Sequence, residues 1–310
     1  MITIRKTTEL GLETINEFVN GSWVDVVDPC ADEVALLSKE LNIPQDFVTY
    51  ALDMDEVART EKEDGVIFIL LRVPVYQGDT ADIPYTTIPL GIILTERCII
   101  TVCKINSDIT QSIINGRTKG LSTGKKNRFV LQLLMATATR YLRYLREINK
   151  AVDLLEDKLQ LSMRNQEVLG LLKYEKSLVY FTTALRSNEL MLERLQKSQL
   201  FKMYPEDEDL LDDVLTENQQ AIEMTNISNN ILSGMMDAFA SIISNNLNAV
   251  MKFLASMTIV LTVPSLIASF YGMNIDLPLN EHPQAFAVIL ALSVGVAALI
   301  TLVFVKRDWF

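Results

Sequence analysis

The stretch Phe253–Tyr271, FLASMTIVLTVPSLIASFY, contains no charged side chain, and it decides how the rest of the sequence is interpreted. A second uncharged run extends from Gln284 to Val305. Each run supplies roughly 20 residues, the length that an α-helix needs to cross about 30 Å of hydrocarbon. The sequence therefore predicts two transmembrane helices, at about 253–271 and 284–305, in a segment 252–310 with a short external loop between them.

Basic residues mark the ends of the two runs. Lys252 precedes the first run, Lys306 and Arg307 follow the second, and the loop Ile275–Pro283 contains no Lys or Arg. By the positive-inside rule, both termini are predicted to lie in the cytoplasm. The N-terminal sequence MITIRKTTEL lacks the apolar segment of a secretory signal, so the residues before the spans are expected to stay in the cytoplasm. The predicted location is the cell membrane, with the lipid bilayer as a partner.

The charge balance narrows the choice of other partners. The chain has 39 Asp and Glu against 28 Lys and Arg, a formal net charge of -11. Nucleic acid is disfavoured as a partner because its phosphates need stripes of Lys and Arg, whereas cations suit an acidic surface. The Walker sequence GxxxxGK(S/T) does not occur in the sequence, which fits a function without ATP, and no enzymatic activity is predicted.

Residues 1–120 combine strand and helix patterns. The predicted elements are three β-rich runs, Val66–Val73, Thr86–Thr95 and Arg97–Lys104, and two helices, Asp32–Leu41 and Pro44–Val57. Two of the β-rich runs are nearly continuous in Val, Ile and Leu, so both faces of their sheet need cover. We therefore predict an α/β domain with a mixed sheet, in which Asp28 or Asp32 lies near the cap of the first helix.

A polar, Gly-rich linker at 116–124 precedes a helical region. Residues 121–251 are predicted to form a helical hairpin and a stalk, because Leu, Met and Tyr recur at helical spacing while Gly and Pro almost vanish. The acidic corner Tyr204–Asp209 is interpreted as a chain reversal followed by the acidic first turn of a helix. From Leu210 to Tyr271 we expect one helix of about 60 residues, which favours packing against the hairpin and against copies of the chain.

Small and polar residues form a stripe along the first span. Its members recur at alternating steps of three and four residues and so share one helix face: Asn248, Met251, Ala255, Thr258, Thr262, Ser265 and Ser269. Two interpretations are open at this point. The stripe permits close helix packing, with hydroxyl groups donating to carbonyls one turn earlier. Alternatively, identical stripes from several subunits line a pore, which requires an oligomer because two spans cannot enclose an aqueous path.

The residues after the first span carry a family resemblance. Tyr271-Gly272-Met273-Asn274, a second span, and the basic and aromatic C-terminus Lys306–Phe310 resemble the CorA family of divalent-metal channels. The resemblance covers the whole architecture: an α/β cytoplasmic funnel domain, long stalk helices and two C-terminal transmembrane helices. It implies a homopentameric channel that passes hydrated Mg2+, and often Co2+ or Ni2+, down the membrane potential.

The resemblance also implies roles for individual residues. Gly272–Asn274 correspond to the selectivity filter, where a ring of Asn274 amides holds hydrated Mg2+ without removing its water. Met251 and Leu254 correspond to an apolar gate, and Asn248 to a lower amide ring. The further pore-lining positions are Thr258, Thr262, Ser265 and Ser269.

Regulatory binding of Mg2+ between neighbouring cytoplasmic domains is implied as well. Asp213 corresponds to a stalk acid of that site. Asp53 and Asp55 are candidate partner ligands in the α/β domain, and Asp237 is a candidate for a further acid ring inside the stalk.

The loop after the triplet departs from the family pattern. It reads Ile275-Asp276-Leu277-Pro278-Leu279-Asn280-Glu281, whereas many members have Met-Pro-Glu-Leu there. The displaced acid leaves Zn2+ transport open as an alternative. A non-conducting, membrane-anchored coiled-coil scaffold is a second alternative, although it gives no reason for the stripe or for the triplet.

Overall fold

The computed structural model describes residues 1–9, 11–116, 120–162, 165–198, 204–273, 275, 283–307 and 309. This part of the chain forms two compact units, Met1–Gly234 and Met235–Phe310. The predicted fold class is confirmed, since an α/β domain with a mixed sheet is followed by long helices and two C-terminal apolar helices.

The first unit is built on one mixed sheet. Its strands are β1 (Ile2–Thr8), β2 (Gly11–Ile15), β3 (Ser22–Val27), β4 (Arg59–Glu63), β5 (Val66–Tyr76), β6 (Tyr85–Leu94) and β7 (Cys98–Cys103). Their spatial order is β2-β1-β3-β7-β6-β5-β4. The central pair β3–β7 is parallel, and the remaining neighbours are antiparallel.

Helices cover both faces of this sheet, as the continuous apolar strands require. The helices are α1 (Ala31–Leu41), α2 (Gln45–Tyr50), α3 (Asp108–Ile114), α4 (Lys126–Ser162), α5 (Asn165–Lys197), α6 (Pro205–Tyr271) and α7 (Ala285–Lys306). Within β5, Phe68 packs with α1 and α2, while the next residue, Ile69, packs with α3, α4, α5 and the start of α6. Successive strand residues point to opposite faces, so β5 contributes to two cores. A Cβ atom at Gly91 in β6 would lie 2.5 Å from the Cβ of Ala51, so only glycine fits there.

Some local predictions were wrong. Helix α2 ends at Tyr50 rather than Val57 because the Asp53 carboxylate accepts the Asp55 N–H at 3.1 Å, a local bond that competes with helix formation. By contrast, Asp28 and Asp32 each lie two residues from Cys30, the N-cap of α1, and Asp32 lies in the first turn, as predicted.

The first part of α6 packs on the helical hairpin through one buried face. That face consists of Leu211, Val214, Asn218, Ala221, Ile222, Thr225 and Leu232. Polar bonds supplement the packing: Ser228 donates to Asn149 Oδ1 at 2.7 Å, and Asn218 donates to the carbonyl of Leu185 at 3.3 Å. The helix begins with three acids, as predicted, and Glu206 pairs with Arg128 at 2.9 Å. The hairpin therefore fixes this part of α6 through both apolar and polar contacts.

The second unit contains the two apolar runs of the sequence. Helix α6 ends at Tyr271, and α7 occupies Ala285–Lys306. Within the described residues, these are the two helices that are long and apolar enough to span a membrane.

Candidate functional site

The polar stripe of α6 lies on a face that the rest of the chain leaves open. Its seven members are all exposed in the single chain: Asn248, Met251, Ala255, Thr258, Thr262, Ser265 and Ser269. The two predicted gate residues are among the more open side chains, with Met251 57% and Leu254 53% exposed. A row of apolar and polar groups is thus available to molecules outside the chain.

The opposite face of the same segment is covered. The buried and half-buried residues here are Ser256, Val260, Val263, Pro264, Ile267 and Tyr271. At about 3.6 residues per turn, they stand on the far side of the helix from the stripe. Helix α7 lies on this side, where the two helices line a cavity of about 600 Å3 with Pro264, Ser265 and Tyr271 from α6 and Ile289 and Ser293 from α7. Of the stripe residues, Ser265 thus borders the cavity, and all seven remain exposed in the chain.

Three hydroxyl groups of the stripe are bonded within α6. Thr258 donates to the carbonyl of Leu254 at 2.8 Å, Thr262 to that of Thr258 at 2.7 Å, and Ser265 to that of Leu261 at 2.9 Å. Each hydroxyl oxygen keeps lone pairs for a further partner. With its protons directed back to the helix, the stripe presents hydrogen-bond acceptors.

The filter triplet begins directly after α6. The N–H of Gly272 donates to the carbonyls of Ala268 and Ser269 at 3.0 and 3.2 Å, and Met273 is exposed. A Cβ atom at Gly272 would lie 3.5 Å from both carbonyl oxygens, an ordinary contact, so the described neighbours in the chain leave room for a Cβ atom there. Asn274 lies outside the described residues, as do Asp276 and Glu281.

The four predicted regulatory acids, Asp53, Asp55, Asp213 and Asp237, are all exposed. Among the residues that the structure describes, no three His, Cys, Asp or Glu side chains come together as a metal-binding group. One chain therefore does not assemble a three-carboxylate site in this part of its structure. A site shared between neighbouring chains remains a prediction.

Arg72 holds the loop that carries Asp53 and Asp55. Its Nη1 donates to the carbonyls of Met54 and Glu56 at 2.6 and 3.1 Å, while its Nη2 bonds Thr87 on β6. Burial lowers the pKa of the Arg72 guanidinium, and the charge of Asp55 opposes this shift. The loop is thus fixed to the sheet through its backbone, which leaves its two carboxylates exposed. The sequence analysis did not identify Arg72, because its partners are backbone carbonyls distant in sequence.

The sequence of the chain matches a known family over most of its length. The sequence profile of the CorA-like Mg2+ transporter protein matches residues 20–307. The chain belongs to this family. Its members are transporters rather than enzymes, in agreement with the prediction from the sequence.

Individual CorA proteins resemble the chain over nearly its whole length. The cobalt/magnesium transport protein CorA of Methanocaldococcus jannaschii is 30% identical over 297 residues, covering 93% of this chain and 90% of the relative. The protein of the same name from Thermotoga maritima is 22% identical, covering 98% and 88%. The complete structure of the CorA magnesium transporter from M. jannaschii superposes with a TM-score of 0.86 at 24% identity, covering 100% of this chain and 99% of that one. The CorA fold, including both C-terminal helices, is therefore present here.

Proposed function

We propose that the chain forms a homopentameric membrane channel for the uptake of divalent cations, with Mg2+ as the main cargo and Co2+ or Ni2+ as further cargo. The observation that carries the proposal is the exposed stripe of α6, most of which faces away from α7. Two apolar helices cannot enclose an aqueous path, so a transporter built from them needs several copies. Copies of α6 around one axis would line the path with their stripes. The cobalt/magnesium transport named for its relatives supports the choice of cargo.

The chemistry of the stripe suits a hydrated ion. Mg2+ gives up its water reluctantly, and the water molecules around it direct their hydrogens outward. A path for the hydrated ion therefore needs hydrogen-bond acceptors. Thr258, Thr262 and Ser265 provide them, because their own protons are bonded within α6.

The proposed filter is a ring of Asn274 amides at the external mouth of the path. Neutral amide oxygens attract the hydrated ion without the strong binding that would trap it. Gly272 fits this proposal, since no contact within the chain requires a glycine there. Several copies that approach one another closely at the mouth of the path would leave no room for a side chain at position 272, so a glycine would be needed there.

The proposed gate lies at the other end of the stripe. Met251, a stripe residue, and Leu254 beside it are exposed, and their apolar side chains from five copies would narrow the path and exclude water. Asn248, the next stripe residue before Met251, would form a lower amide ring.

The membrane potential is a sufficient driving force for uptake. Moving one elementary charge across 100 mV corresponds to about 2.3 kcal/mol, so a divalent ion gains about 4.6 kcal/mol. The cytoplasmic termini that Lys252, Lys306 and Arg307 indicate would place the proposed filter at the outer mouth of the path.

Purified protein in vesicles tests the proposal. We expect uptake of Mg2+ that grows with an inside-negative potential, and a pentamer as the main species in native mass spectrometry of the detergent-solubilised protein. Mg2+, Co2+, Ni2+ and Zn2+ are compared under the same imposed potential. A monomer or dimer as the sole species would exclude the pore.

The same experiment separates the alternatives. Preferred transport of Zn2+ would assign the chain to a zinc-transporting branch, which the loop Ile275–Glu281 leaves open. Absence of flux for all four ions, with an intact oligomer, would support the non-conducting scaffold.

A regulatory role for Asp213 gives a separate prediction. Carboxylates of Asp213, Asp53 or Asp55 crowded between neighbouring chains repel one another until a divalent ion neutralises them, so bound Mg2+ would favour the closed state. We expect Asp213→Lys to raise the internal Mg2+ concentration that half-inhibits flux about tenfold, the equivalent of about 1.4 kcal/mol of lost coupling. Protection of the first unit from protease by Mg2+ should weaken in parallel.

The matched control for Asp213 is Glu223→Lys, which reverses an exposed charge on the same helix at a position outside the predicted site. Asp237→Lys tests the further acid ring in the same assay. If Mg2+ protection is the same in the wild type and in Asp213→Lys, Asp213 is a solvated stalk residue without a regulatory role.

A further inference from the structure

A backbone turn at the end of α7 fixes Trp309 on that helix. The N–H of Trp309 donates to the carbonyl of Phe304 at 3.0 Å. The rings of the same two residues stack, with centroids 5.2 Å apart and planes inclined by 4°. A hydrogen bond and an apolar contact between residues at these positions are features of the Schellman motif, which ends many helices. Trp309, noted in the sequence only as part of the resemblance, is therefore held against the last turn of α7.

Trp309 also contacts α6 at Ser256. Among residues 248–273, all of which the structure describes, Ser256 alone is buried, with 0% exposure. Its Oγ lies 3.5 Å from the carbonyl oxygen of Trp309, at the long limit of a hydrogen bond, and it also bonds the carbonyls of Lys252 and Phe253. The hydroxyl is thus satisfied mainly by its own helix. Its small size lets the turn lie directly against α6.

This contact lies at the level of the proposed gate. Ser256 follows Leu254 by two residues and Met251 by five, and the helical repeat places it on the far side of α6 from the stripe. At this level α6 presents Met251 and Leu254 to the outside and Ser256 to the C-terminal turn. A change in the turn would therefore rotate or displace the gate side chains.

We propose that Trp309 is a positioning residue of the gate, an inference that rests on the proposed pore. The stack on Phe304 fixes Trp309 to α7. The contact between the Trp309 carbonyl and the buried Ser256 fixes the rotation of α6 about its own axis. Both gate side chains are then held on the stripe side in every copy. Without the indole, the stack on Phe304 is lost, so the backbone carbonyl of Trp309 is no longer held against Ser256. Helix α6 then turns more freely at this level and the apolar constriction closes incompletely.

Leak through the closed channel is the first test. In vesicles with high internal Mg2+, where the channel is expected to be closed, Trp309→Ala should raise the residual Mg2+ flux about five- to tenfold. Trp309→Phe keeps an aromatic ring for the stack and should stay within about twofold of the wild type. Leu302→Ala is the control, because it removes an exposed apolar side chain, 67% open, from the same end of α7. Native mass spectrometry of each variant verifies that the oligomer is intact.

Fluorescence of Trp309 tests the contact itself without transport. The chain has two tryptophans, and the other, Trp23, is fully buried, so Trp23→Phe leaves Trp309 as the sole emitter. Ser256→Leu places a larger side chain at the buried position where the Trp309 turn contacts α6. The turn should be displaced, which raises acrylamide quenching of Trp309 fluorescence about twofold. Leu302→Ala in the same background should leave the quenching unchanged.

The two measurements distinguish the possible failures. Unchanged quenching in Ser256→Leu would overturn the contact, and a wild-type leak in Trp309→Ala would overturn the positioning role. If the wild type conducts no divalent cation, the proposed pore itself is wrong and the gating role is lost with it. The wild-type control thus identifies which of the two proposals has failed.

Discussion

Replacing Asn274 by alanine is expected to abolish Mg2+ uptake while the oligomer stays assembled. The substitution removes the amide oxygens of the proposed ring, which attract the hydrated ion at the mouth of the path, and it removes only a few atoms from each chain. We expect uptake in vesicles to fall by at least about a hundredfold, which corresponds to about 2.8 kcal/mol. Native mass spectrometry of the same preparation measures the assembly.

Two further variants test the chemistry of the ring. Asn274→Asp replaces neutral amides by carboxylates, which bind a divalent ion more tightly and slow its release, so flux should fall although binding increases. Gln284→Ala is the control, because it removes an exposed neutral amide at the start of α7. Uptake at the wild-type rate by Asn274→Ala would contradict the Asn ring.

The parts of the fold that could be predicted are those with a local signal. The two uncharged runs predict the C-terminal part of α6 and nearly all of α7. Nearly continuous runs of Val, Ile and Leu predict β5, β6 and β7. Strand β3, SWVDVV, was missed because Asp25 interrupts its apolar pattern. Asp25 is tolerated there by partners far away in the sequence: Thr101 donates to it at 2.9 Å and Arg5 at 3.2 Å. Burial raises the pKa of Asp25, and these two hydrogen bonds oppose the shift.

The candidate site likewise has features that a local sequence pattern predicts and features that it does not. The stripe could be identified from spacing alone, since a helical repeat places its members on one face. Whether that face is covered depends on the position of α7, which no local pattern contains. Ser256 illustrates this limit, because in sequence it is one more small polar residue of the span. Its burial results from the return of the chain at Trp309. A metal site that Asp53 and Asp213 share between neighbouring copies remains a prediction, because one chain alone cannot test it.

A charge at the proposed gate should have the opposite effect to the loss of the filter. Met251 and Leu254 are the apolar positions beside an otherwise small and polar stripe, and in a narrow path such side chains exclude water. An aspartate at either position from every copy would attract water and cations to the constriction. We expect Met251→Asp and Leu254→Asp to raise basal Mg2+ flux at high internal Mg2+ by about tenfold or more.

Ala249→Asp provides the matched control for the gate. It adds a carboxylate at nearly the same level of α6, but the helical repeat places residue 249 on the side away from the stripe. A leak in the two gate variants alone would locate the constriction at Met251 and Leu254. An equal leak in Ala249→Asp would show that added charge loosens the helices regardless of position. If both gate variants stay as tight as the wild type, the closed state is formed by another part of the path. Asn248 would then be the next position to substitute, because it is the stripe residue that precedes Met251.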